Sequence, residues 1–148
     1  MIEEVYHCLK DYGFTKDEIY SLQDENDNMF FVNAIDIKRN IQILEKLGLK
    51  KDEIITICVD NSFLITVDEK RIAKLLKLYC DELSLSKKDL KELLLKNHEI
   101  LNTNPEHLKE LFDYILESAS VSDLKEKIKN NPLIIGMEIG EYKNSTDN

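Results

Sequence analysis

Apolar residues recur at helical spacing along most of the chain. Leu90, Leu93 and Leu94 form one stripe, and Leu108, Leu111, Phe112, Ile115 and Leu116 form a longer one. Between them the apolar pair Ile100-Leu101 sits in a short polar stretch. Ser86-Lys87-Lys88-Asp89 predicts the start of the first helix. Its hydroxyl can accept from a free backbone N–H, and the acid suits the positive end of the helix dipole. That helix ends near Asn97. Asn104-Pro105 predicts the next start, because proline at the first helical position gives up an N–H that has no partner anyway. The pattern therefore reads as a helix, a single-turn helix and a longer helix.

The same pattern occurs four times. Asn26-Asp27-Asn28-Met29-Phe30, Asn61-Ser62-Phe63-Leu64-Ile65, Asn97-His98-Glu99-Ile100-Leu101 and Asn131-Pro132-Leu133-Ile134-Ile135 share an asparagine, two free positions and two apolar residues. Upstream lie Gly13-Phe14-Thr15, Gly48-Leu49-Lys50, Ser84-Leu85-Ser86 and Ser120-Val121-Ser122. The asparagines step by 35, 36 and 34 residues, and the small residues by 35, 36 and 36. These steps place a two-residue deletion between Ser122 and Asp123. Thr15-Lys16-Asp17-Glu18 and Thr66-Val67-Asp68-Glu69 fit the capping-box pattern. Each repeated asparagine is expected to cap the short turn and to tolerate left-handed backbone there.

A period of this length means stacked supersecondary units, since one unit cannot bury its apolar face alone. The expected fold is all-α: a short curved α-helical solenoid of four repeats, at about 2–32, 33–66, 67–102 and 103–135, in one domain over 1–135. A helix at about Ile2 to Tyr12 is expected to cap its start. Residues 136–148 read as a polar, frayed C-terminal tail.

Leu47-Gly48-Leu49 and Asn131-Pro132-Leu133-Ile134-Ile135, with Leu83-Ser84-Leu85 and Asn97…Ile100-Leu101, resemble the mitochondrial transcription termination factor (mTERF) repeat. The resemblance runs over roughly residues 2 to 135. It implies a curved helical array that binds nucleic acid along a basic concave surface. The repeat motif concerns packing, so it carries over no binding residue.

Charge changes the functional picture. The chain of 148 residues has a net charge of −9 and only two arginines, Arg39 and Arg71. Phosphate contacts supply most nucleic-acid affinity, so this balance favours a protein partner over a polyanion. Lys70, Lys74 and Lys77 lie on one face of a helix, with Arg71 beside them and Ile72, Leu75, Tyr79 and Leu83 opposite. Together with Lys38 and Arg39 they form the candidate nucleic-acid strip. Lys16, Lys51 and Lys87 form a second ladder in the first turns of successive helices, where the dipole does not favour them.

The three cysteines, Cys8, Cys58 and Cys80, fall at apolar positions of the repeat and are expected to be buried. They form no Cys-x-x-Cys pair. His7, His98 and His107 lack a ligand spacing, and His98 and His107 read as surface residues. Asp24-Glu25-Asn26-Asp27 lacks the loop a calcium site needs. There is no phosphate loop and no triad pattern. These features predict no catalysis, no metal, and no small-molecule cofactor. No apolar run approaches the ~20 residues that span a bilayer, and the acidic start resembles no leader. The expectation is a cytoplasmic, non-catalytic binding module away from membranes, most simply a protein-interaction scaffold, with nucleic-acid binding as the alternative.

Overall fold

The computed structural model describes residues 2–146. Among them there is no strand, and no helix is long and apolar enough to cross a membrane. The chain divides into two compact units, one running to Glu69 and the other starting at Lys70. The division falls close to where the second repeat gives way to the third.

The first unit contains α1 (Glu3–Tyr12), α2 (Lys16–Glu25), a 3-10 turn (Asp27–Phe30), α3 (Ala34–Lys46), α4 (Lys51–Asp60) and the single-turn α5 (Phe63–Thr66). The second contains α6 (Glu69–Leu83) from Lys70 onward, α7 (Lys87–Lys96), a 3-10 turn (His98–Leu101) and α8 (Pro105–Leu116). It continues with α9 (Val121–Asn130), a 3-10 turn (Pro132–Gly136) and α10 (Ile139–Thr146). Each repeat is thus a helix, a single turn and a further helix, as the sequence predicts.

The caps explain the helix starts. Thr15 Oγ1 accepts from Glu18 N at 3.1 Å while Thr15 N donates to Glu18 Oε1 at 2.8 Å. Ser86 with Asp89 and Ser120 with Asp123 repeat that exchange. Asn104 Oδ1 accepts from Glu106 N at 2.8 Å, with Pro105 at the first helical position. The buried stripes are Ile19 and Leu22 on α2, Ile54, Ile57 and Cys58 on α4, Leu90, Leu93 and Leu94 on α7, and Leu124 and Ile128 on α9. Each such side chain contributes about 1.5–3 kcal/mol on burial.

Within each unit, a long helix is tied to the short turn of the next repeat. Buried Asn40 on α3 donates through Nδ2 to the carbonyls of Ile65 and Val67, at 3.0 and 2.8 Å. Tyr79 Oη on α6 donates to the Ile100 carbonyl at 2.6 Å, and Arg71 Nη2 to that of Asn102 at 2.6 Å. Carbonyls at the end of a single turn have no helical partner. These side chains supply one, Asn40 and Tyr79 from buried positions and Arg71 from a half-buried one.

Four sequence expectations change. Residues 139–146 are helix, not a frayed tail. α10 begins at the position that starts α3, α6 and α8, and buried Tyr142 occupies the site of Ile37, Ile72 and Leu108. A single buried ring among polar residues left no visible stripe. Asp147 and Asn148, also assigned to the tail, lie outside the described residues. Thr66 caps no helix: it closes α5, and its Oγ1 accepts from Asn26 Nδ2 at 2.9 Å.

The deletion in repeat four lies before α9. Ser120 is itself the N-cap, so it matches Thr15 and Ser86, and all four caps precede their asparagine by 11 residues. The left-handed backbone belongs to Gly13, Gly48 and Ser84, with φ of 131°, 93° and 54°, and not to the asparagines. Asn26 and Asn97 do cap the short turns, accepting from Asn28 N and Glu99 N at 3.0 Å each.

Candidate functional site

The predicted strip is distributed over both units, and its two arginines are engaged locally. In the first unit, exposed Lys38 on α3 lines a cavity of about 300 Å³ shared with Cys8, Asp11, Tyr12 and Glu45. Arg39 Nη1 lies 3.5 Å from Glu69 Oε1, with both side chains about half exposed. In the second unit, Arg71 is half-buried and committed to the Asn102 carbonyl. It holds the turn as a structural donor.

Lys70, Lys74 and Lys77 share the exposed face of α6, opposite buried Ile72, Leu75, Tyr79 and Leu83, as the spacing predicts. Lys74 and Lys77 also line a groove of about 560 Å³ between α6 and α8. Its lining includes apolar Leu78 and Pro105. Its other charged residues are Lys109 and the acids Asp81, Glu82, Glu106 and Glu110. Lys109 Nζ lies 2.9 Å from Glu82 Oε1 and 2.8 Å from Asp113 Oδ1. Hydrogen bonds to Asp113 and Glu82 raise its pKa. The groove therefore presents apolar surface and both signs of charge together.

The lysine ladder resolves residue by residue. Lys51 Nζ lies 5.0 Å from the centre of the Tyr12 ring, and Lys16 Nζ 5.7 Å from that of Tyr20. Cation–π contact is the use these two first-turn lysines have. Lys87 is exposed.

The cysteines differ from one another. Cys58 is buried, and burial pushes its thiol up to about 12. Cys8 is half-buried. Its pKa is raised by burial, with Lys38 opposing and Asp11 adding to the effect, and Sγ donates to the Ala34 carbonyl at 3.9 Å. That is a protonated thiol, the reverse of an activated nucleophile. Cys80 is exposed, against expectation. In α6 the buried line runs through Leu75, Tyr79 and Leu83, which rotates Cys80 outward. Counted from the helix start, Leu44 of α3 matches buried Tyr79, and Cys80 matches exposed Glu45. Ser84 lies one residue further from its helix start than Gly48 does, so counting back from these small residues shifts Cys80 onto the buried line. His7 and His107 are exposed and His98 is half-buried.

The mTERF family model matches residues 1–140. This chain belongs to the mTERF family. Its four repeats are mTERF repeats, and the protein is a helical-repeat binding module of that family. No curated protein matches the chain.

Sequence reasoning missed a basic face of this mTERF protein. α7 carries Lys87, Lys88, Lys91 and Lys96 against Asp89 and Glu92, a net of +2. α9 carries Lys125, Lys127 and Lys129 against Asp123 and Glu126, a net of +1. Part of this charge is internally spent. Lys129 and Lys125 lie 3.3 and 3.6 Å from the Asp89 carboxylate, and Lys96 Nζ donates to the Lys129 carbonyl at 2.7 Å. The sequence reading singled out Lys16, Lys51 and Lys87 in these first helices; the net charge of each first helix would have revealed the remaining lysines.

Proposed function

We propose that this mTERF protein is a protein-interaction scaffold whose second unit takes a partner segment in the groove between α6 and α8. The observation that supports this reading is the lining of that groove. Lys74, Lys77 and Lys109 stand with Asp81, Glu82, Glu106 and Glu110, and with apolar Leu78 and Pro105. A phosphate backbone gains from cations and loses from four carboxylates at the same place. A polypeptide segment can satisfy both signs and bury apolar side chains. The net charge of −9 and the internal bonds of Arg39 and Arg71 point the same way. On this reading the protein is a non-catalytic, cytoplasmic adaptor.

Nucleic-acid binding is the second reading, favoured by the family and by the lysines of α7 and α9. Fluorescence anisotropy separates the two. Labelled duplex and single-stranded DNA and RNA are titrated with the protein at low and moderate salt. The scaffold reading expects no binding in the micromolar range even at low salt. Micromolar or tighter binding that falls steeply with salt would overturn it. Loss of that binding in Lys70→Glu/Lys74→Glu, or in Lys87→Glu/Lys88→Glu, would then place the polyanion on α6 or on α7.

A further inference from the structure

The four repeats are an internal comparison, and the first departs from the others at its short turn. Counting from each repeated asparagine, Phe30 corresponds to Ile65, Leu101 and Ile135. Those three are 0%, 0% and 2% exposed, whereas Phe30 is 45% exposed. Phe31 corresponds to Thr66, Asn102 and Gly136, and Ile35 to Lys70, Glu106 and Gly140. The repeat therefore puts polar residues or glycine at both positions. The first repeat alone puts large apolar side chains there, and they are 85% and 61% exposed. No packing within the repeat needs them: Met29, Val32 and Ile37 fill the neighbouring buried positions.

The surroundings state what would cover this patch. Asp24, Glu25 and Asp27 are exposed within the same stretch of chain, on the turn side of the patch; on the α3 side Lys38 and Arg39 follow Ile35, Arg39 being met by Glu69. Asp24 and Glu25 occupy the last turn of α2, which has no basic residue, where the helix dipole disfavours acids. Position 24 corresponds to Val59, Leu95 and Lys129, so no carboxylate recurs there in the other repeats. Exposed apolar side chains with carboxylates on the turn side complement a segment that carries apolar side chains beside Lys or Arg. They disfavour a second copy of this patch, whose acids would oppose their own.

We propose that Phe30, Phe31 and Ile35, with Asp24, Glu25 and Asp27 on the turn side, form a docking surface for a basic, amphipathic polypeptide segment of a partner protein. This rests on the protein-partner reading but uses a different surface, in the first unit. Exposed aromatic anchors inside a charged rim are the usual makings of a binding hot spot.

The probe is a synthetic amphipathic helix of Leu and Lys, titrated into isotope-labelled full-length protein and followed by amide NMR shifts. Leu/Glu and Ala/Lys peptides of the same length serve as controls. Saturable shifts are expected to centre on residues 24–37, with both controls weaker by about tenfold or more. Phe31→Thr/Ile35→Lys, which installs residues found at the matching positions, should abolish these shifts while leaving the circular dichroism and melting curve unchanged. Three results would overturn the proposal. One is shifts spread over acidic helices and indifferent to the variant, which is charge attraction only. Another is equal binding of the Leu/Glu peptide. The third is self-association of the wild type in sedimentation that the variant removes, which would assign the patch to a second copy. Nucleic-acid binding in the anisotropy titration would remove the scaffold reading without moving the NMR result. Failure of the peptide to shift residues 24–37 would likewise overturn the patch and leave the α6–α8 groove standing.

Discussion

The first helices of the repeats carry opposite charge in the two units. In the first unit, α2 sets Lys16 against Asp17, Glu18, Asp24 and Glu25, and α4 sets Lys51 against Asp52, Glu53 and Asp60. In the second unit, α7 and α9 are both net positive. Yet the buried residues of these helices correspond. Ile19, Ile54, Leu90 and Leu124 stand four residues after their caps, and all are buried. Packing holds the inward positions to one chemistry, because each repeat must bury its face against the next. Nothing in the packing constrains the outward positions. Recognition is therefore to be sought where repeats of one architecture differ, as at Phe31 and Ile35.

The largest effects should come from positions the units share. Leu94→Ala, Ile100→Ala and, in the first unit, Ile19→Ala are each expected to cost about 2–5 kcal/mol. Chemical denaturation measures this, and a cost confined to one unit would break the equivalence of the repeats. Next come the donors that tie each long helix to the following turn. Asn40→Leu installs the residue found at the matching Leu75 and leaves the Ile65 and Val67 carbonyls without their donor. It should cost about 1–3 kcal/mol. Tyr79→Phe, which removes one bond, should cost about 1 kcal/mol. If Asn40→Leu stabilises the protein instead, its two bonds do less than apolar packing would.

The turn before each first helix gives a smaller, signed pair. Gly13 has φ of 131°, and a Cβ there would meet Ile55 Cδ1 at 3.3 Å. Gly13→Ala should cost about 1–2 kcal/mol. Ser84, at the matching position with φ of 54°, should gain up to about 1 kcal/mol as Ser84→Gly. Thermal melts of the two variants should move in opposite directions.

The second unit should also respond to acid. Asp89 is held down to about 2, first by its bonds to Ser86 and then by Lys129, against a smaller upward push from burial. Its folded pKa lies below the unfolded value of about 3.9. Its contribution is therefore present above pH 4 and lost as pH falls toward 2. Melts between pH 5 and 2 should drop less steeply for Asp89→Asn than for the wild type. The smallest effect belongs to the half-exposed Arg39–Glu69 pair, where Arg39→Ala should change stability by about 0–1 kcal/mol.

Much of the fold was legible beforehand. The caps at Thr15 and Ser86, the stripe of α7, the asparagine-headed turns and the exposed face of α6 rest on local rules of capping and periodicity. The misreadings have two causes. Thr66 has the form of a cap, Ser120-Val121-Ser122 has the form of the earlier triplets, and residues 139–146 have the composition of a tail. Two depended on what the residue met elsewhere in its unit: Asn26 for Thr66, and Tyr114, whose ring meets that of Tyr142 edge-on. The Ser120–Asp123 box is local, and the likeness of its triplet to the earlier ones hid it.

The candidate site divides in the same way. The sequence by itself determined the repeat, its period, the helical class and which α6 lysines face outward, since these follow from spacing along one chain. Only the tertiary structure decided that Arg71 is spent on a carbonyl 31 residues away and that Arg39 meets Glu69. It also decided that Lys74 and Lys77 share a groove with four carboxylates, and that Phe31 and Ile35 stand uncovered. A side chain's charge and size are written in the sequence. Whether they are used up inside the fold depends on neighbours that folding brings near.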